Sequence, residues 1–88
     1  MKPVSFTAHA RDQMAERGAT EQEILAALTS GESAPAKLGR LAFRKNFPFE
    51  RTWKGRFYET KQVVPVVRGE VDRLVVITVY VFYFGGER

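Results

Sequence analysis

Eighty-eight residues, 44% of them hydrophobic and 12% aromatic, suffice for one small domain held by apolar burial. With no cysteine and a single histidine, disulfides and thiolate zinc centres are excluded, and neither a metal nor a cofactor is expected. The net charge of +4 is uneven: residues 1–36 carry three basic and five acidic side chains, net −2, whereas residues 37–73 carry ten and four, net +6. Such a concentration of cations suits polyanion binding, and it equally suits a solvated sheet edge kept unpaired by lysine and arginine.

The first five residues contain no apolar run of the kind a signal peptide needs. The longest apolar stretch, Leu74 to Phe84, has eleven residues interrupted by Thr78, short of the roughly 20 a membrane helix needs. No membrane association is expected, and a cytoplasmic location follows as the expectation.

In chain order, Thr7 is placed to cap a helix over Ala8–Arg17, which Gly18 stops. Ala10, Met14 and Arg17 share one stripe of that helix, which sets the Arg17 guanidinium at the margin of the core. His9, Gln13 and Glu16 form the adjacent stripe. Thr20-Glu21-Gln22-Glu23 matches a capping box, and Ile24, Leu25 and Leu28 repeat at helical spacing before Gly31. Glu32 to Gly39 reads as a loop. From Arg40 the period changes to two, giving a strand that Pro48 stops, then a turn over Phe49–Gly55 containing Trp53. A second strand runs from Arg56 to Val64, with Pro65 marking a bulge or an edge. Arg73 to Phe84 is the strongest strand. Its faces are Val75, Ile77, Val79 and Val81 against Leu74, Val76, Thr78, Tyr80, Phe82 and Phe84, so a central strand covered on both faces is expected. The fold class is α+β, with two N-terminal helices packed on a three- to four-stranded antiparallel sheet.

Several residues carry chemistry in this layout. His9 sits at a helix amino terminus, where the positive local potential favours a neutral imidazole able to act as a general base. Its structural alternative is a histidine that orients the first helix. Arg17 suits a phosphate or a developing negative charge, or it neutralises the carboxyl end of its own helix. Thr78 and Tyr80 interrupt one face of an apolar strand and project side by side, ready for a phosphate or an attacking hydroxyl if that face is open. Lys61 on the neighbouring strand is a further phosphate candidate. Lys54-Gly55-Arg56 beside Trp53 combines charge with a stacking surface, as in an RNA-contacting turn, and Trp53 alternatively packs beneath the loop.

The run Thr7-Ala8-His9-Ala10-Arg11, then Glu16-Arg17-Gly18-Ala19-Thr20-Glu21 and a second amphipathic helix ending at Gly31, resembles the prokaryotic and phage family called domain of unknown function 4258. So do Trp53 to Pro65 and Val76-Ile77-Thr78-Val79-Tyr80 in the carboxyl half. Ala19 departs from the large aliphatic usual there. The layout is similar to that of RelE-like and BrnT-like toxins, and this resemblance implies a RelE-like fold and a metal-independent endoribonuclease of toxin or phage type. It implies His9, Arg17 and Tyr80 as catalytic residues, and Lys61 and Thr78 as phosphate contacts beside Lys54 and Arg56 in the turn. RNA, a cognate antitoxin or other protein, and a second copy in a homodimer are the partners to expect. The alternatives are a non-catalytic module binding nucleic acid or protein, and an assembly domain pairing through its apolar last strand.

Overall fold

A computed structural model describes residues 2–86. The elements follow as β1 (Val4–Phe6), α1 (Ala8–Arg17), α2 (Glu21–Ser30), β2 (Glu32–Pro35), a single 3-10 turn (Lys37–Gly39), β3 (Leu41–Trp53), β4 (Arg56–Gly69) and β5 (Leu74–Phe84). Two helices and one sheet make the class α+β. The sheet differs from the sequence expectation: it has five strands in the order β1-β5-β4-β3-β2, and it is mixed, because β1 pairs parallel to β5. Glu32–Pro35, expected as loop, pairs antiparallel with β3 from Glu32↔Arg44 to Pro35↔Leu41 and becomes an exposed edge strand.

The helices form where local chemistry asks for them. The Thr7 hydroxyl accepts from the Ala10 amide at 3.0 Å, and Gly18 ends α1 in the left-handed region at φ 83°. A Cβ at Gly18 would lie 2.7 Å from the Tyr83 hydroxyl and 2.8 Å from Trp53, so this turn needs glycine for its conformation and for its packing. The capping box of α2 is complete: the Glu23 amide donates to Thr20 Oγ1 at 3.1 Å and the Thr20 amide to Glu23 Oε1 at 3.0 Å. Both helices lie on one face of the sheet. Ala10, Met14, Ala19, Ile24 and Leu28 meet Val63, Val67, Val76 and Val79 there in one core.

Two prolines do not break the strands that contain them. Pro48 stays within β3, because β2 reaches only to Arg44 and the outer edge of β3 beyond it has no ladder to lose. A bulge follows, with Pro48↔Thr60 and Arg51↔Tyr58 bracketing one extra β3 residue, and Glu50 takes φ 51°. Pro65 is buried inside β4, which is flanked on both sides. The β3–β4 register is the same at Lys45↔Val63 and at Ala42↔Val66, but the positions between them do not pair, so Pro65 falls in a gap where no ladder amide is called for. The expected Phe49–Gly55 turn shrinks to Lys54-Gly55, both at positive φ (51° and 85°), as a two-residue hairpin turn of type I′ requires.

β5 also departs from strict alternation. Val67 pairs with Val76 and Val66 with Thr78, leaving Ile77 without an opposite residue. Val76 and Val79 therefore both point into the core at 0% exposure, and the strand exchanges its faces between them. The expectation of a strand covered on both sides fails beyond this bulge. Val79 and Val81 pack under α1, whereas Tyr80, Phe82 and Phe84 stay 44%, 51% and 44% exposed on the opposite, helix-free face.

Candidate nucleic-acid interface

The helix-free face is built by register. Ala34, Ala42, Val66 and Thr78 lie in one cross-strand row. Asn46, Gln62 and Phe82 form a second, and Pro48, Thr60 and Phe84 a third, with Val64 and Tyr80 paired between the first two. Of these, Ala34, Ala42, Gln62, Val64 and Phe82 line a trough of about 700 Å³ that Glu32 and Arg44 also border. It continues across Ala42 and Val64 into a second hollow bounded by Lys37, Arg40, Thr78 and Tyr80. Arg44 pairs with Glu32 at 2.9 Å, both well exposed, an ion pair worth little in water and easily traded for another anion.

Arg17 stands at the corner of this face. Its Nη1 donates to the Val79 carbonyl at 2.9 Å, and its Cζ lies 5.5 Å from the centre of the Tyr80 ring. The first contact belongs to a wider arrangement along the outer edge of β5, which β1 leaves unpaired after Val76. The Val79 amide donates to Gln13 Oε1 at 2.8 Å, one helical turn before Arg17. Gln13 and Arg17 together supply the acceptor and donor that a neighbouring strand would have offered Val79. Gln13 was not singled out from the sequence. Its signal was a position four before Arg17 and next to the Ala10–Met14 stripe.

The remaining sequence candidates fall elsewhere. Lys61 is not a surface cation: it is 3% exposed on the helix side, its Nζ 2.8 Å from Glu23 Oε1 and hydrogen-bonded to the Gly18 carbonyl. Burial with a carboxylate and a carbonyl makes it a tie between the α1–α2 junction and β4, so it is withdrawn from the phosphate contacts. His9 is exposed in the first turn of α1. Two helical turns, about 12 Å, separate it along the axis from Arg17. Lys54 in the β3–β4 turn and Arg56 just after it each stand against a ring: Lys54 Nζ lies 5.5 Å from Trp53 and Arg56 Cζ 5.8 Å from Tyr58. Trp53 packs beneath the loop, stacked on Tyr83 at 5.1 Å with ring planes 19° apart. Phe49 and Tyr58 complete the cluster around Tyr83, whose hydroxyl donates to the Arg17 carbonyl at 2.8 Å. Burial raises the Tyr83 pKa, Glu23 raises it further, and Arg51 opposes them.

The geometry thus joins Arg17, Tyr80 and Thr78 at one end of an open trough and leaves His9, Arg56 and Lys61 apart from them, while Arg17 also shares a separate hollow with Lys54, Trp53 and Tyr83. Among the described residues no group of three or more histidines or carboxylates is placed to hold a metal ion. No helix there is long and apolar enough to cross a membrane. Comparison with curated proteins and with solved structures finds no match. Residues 6–81, from the end of β1 to Val81 in β5, match the family model described as Domain of unknown function (DUF4258), and the chain belongs to that family.

Proposed function

We propose that this chain binds RNA on the helix-free face of its sheet, as a RelE-like or BrnT-like domain acting in the cytoplasm. The observation that carries the reading is the uncovered face itself, apolar at its centre, aromatic along its β5 edge and flanked by Lys37, Arg40 and Arg17 over Tyr80. Aromatic planes beside cations suit a polyanion whose bases can leave the stack. The surplus of residues 37–73 supplies long-range attraction, and the most acidic element, α2 with Glu21 and Glu23, sits on the far side.

Fluorescence anisotropy with a labelled single-stranded RNA, in EDTA and over a series of KCl concentrations, tests this. The expected result is saturable binding that weakens steeply with salt and drops on Tyr80→Ala. A dimer or a captured protein partner that is indifferent to salt, with no RNA bound, would replace the reading with a protein-binding one, such as recognition of a cognate antitoxin or of a second copy.

A second reading, metal-independent cleavage, is favoured by the placement of Arg17 over Tyr80 next to Thr78. A guanidinium and two hydroxyls at one corner suit a phosphodiester whose 2′-hydroxyl oxygen bonds to phosphorus as the bond to the 5′-oxygen breaks. The resemblance implies His9 as the base for that hydroxyl, whereas the fold holds it two turns of α1 away from Arg17. Cleavage in EDTA that is lost in His9→Ala and Arg17→Ala supports this reading, and an undiminished rate in His9→Ala removes the histidine from it.

A further inference from the structure

We infer that Tyr80, Phe82 and Phe84 form a ladder that takes successive bases of an unpaired RNA strand, one base to a ring, running along β5. The inference rests on the RNA reading and narrows it to a class of substrate. Past the Ile77 bulge these residues occupy every second position of the strand and all face away from the helices. Large apolar side chains left about half exposed on a sheet with no covering layer contribute little to the core, and their alignment needs another explanation.

Spacing selects the ligand. The Tyr80 and Phe82 rings are 19° from parallel with centres 6.4 Å apart. Nucleotides along one strand of a duplex rise by about 3.4 Å, so neighbouring bases of a duplex cannot reach neighbouring rings. A strand stretched to roughly twice that rise, its bases unstacked, can do so, and single-stranded RNA reaches that state at low cost. Charge selects against a second copy. Arg17 lies over the first rung, Lys37 and Arg40 border the same hollow, and the acidic Glu32 is already engaged by Arg44. Two such faces would repel one another, whereas a phosphate backbone is attracted along the ladder.

The test compares the parent, Phe82→Leu and Phe82→Tyr by anisotropy, using an unstructured labelled RNA of about twelve nucleotides and a blunt duplex of the same length. The parent is expected to prefer the single strand by about tenfold or more. Phe82→Leu should weaken single-strand binding about tenfold while leaving duplex binding and the salt slope unchanged, and Phe82→Tyr should restore it. Phe84→Leu provides a second variant if circular dichroism shows Phe82→Leu to be unfolded. Equal binding of both RNAs, indifferent to Phe82→Leu, would overturn the ladder and leave RNA binding standing. A parent that binds neither RNA even at low salt would overturn both.

Discussion

On the helix side of the sheet, cations are absorbed into the structure: Lys61 is held by Glu23 and the Gly18 carbonyl, and Arg17 ties α1 to the edge of β5. On the other side, Lys37 and Arg40 border an uncovered hollow floored by Val64, Val66 and the Tyr80 ring. Neighbours in one strand fall into opposite regimes. Lys61 is sealed, and Gln62, one residue on, lines the trough. The contrast teaches that a basic residue in a small domain cannot be assigned to a ligand by type. The side of the pleat it occupies, and whether a helix covers that side, decide its role.

The sharpest way to break the comparison is Lys61→Ala. Leaving Glu23 half-buried without its cation and Gly18 without its donor should cost about 3 kcal/mol in urea unfolding, while RNA affinity at a temperature where the variant is folded stays unchanged. A variant of parental stability that no longer binds RNA would move Lys61 back among the phosphate contacts. Gln13→Ala should cost about 2 kcal/mol, because the buried Val79 amide then has no acceptor. A cost near zero would mean that β5 does not need this edge closed.

Tyr83→Phe is expected to cost about 1 kcal/mol near neutral pH through the lost bond to the Arg17 carbonyl. Its pH signature is more specific. Because the folded-state pKa of Tyr83 is raised above 10.0, its contribution is fully present below pH 10 and is lost as pH climbs through the raised value. The parent should therefore lose stability above pH 10 more steeply than Tyr83→Phe, measured by thermal unfolding across that range. The smallest stability effects belong to the hairpin tip. Lys54→Ala and Arg56→Ala should change unfolding by less than about 0.5 kcal/mol. If the tip also touches RNA, each should lower the slope of log affinity against log salt by about one.

What the amino-acid order made legible is what local chemistry decides. Thr7, Gly18, Thr20 and Glu23 act within a turn of one another, and both helices follow from them. The prolines misled because their effect depends on ladders formed with distant segments. Pro48 is harmless only because β2 stops at Arg44, and Pro65 only because the β3–β4 pairing lapses beside it. β1 was invisible for the same reason, three residues being too few to show a period. Of the candidate site, Tyr80 and Thr78 were legible as polar interruptions of an apolar strand. Phe82 and Phe84 were not, since exposure is a tertiary fact. Strict alternation puts Lys61 on the face of the apolar Val63, as in the fold, but nothing local reports that Glu23 would arrive from α2 to bury it.

Ile77 gives this chain a reading frame in space. Removing that one residue would carry every later side chain of β5 across the sheet, turning Tyr80, Phe82 and Phe84 inward and Val79 and Val81 out. Relatives that differ by a one-residue insertion or deletion near this position would then share nearly the same letters while presenting a different surface, and a residue-by-residue alignment that ignored the gap would assign the rungs to the wrong positions. Within the family, the length of the segment between Val76 and Tyr80 is thus a better guide to shared surface chemistry than the identity of the residues that follow it.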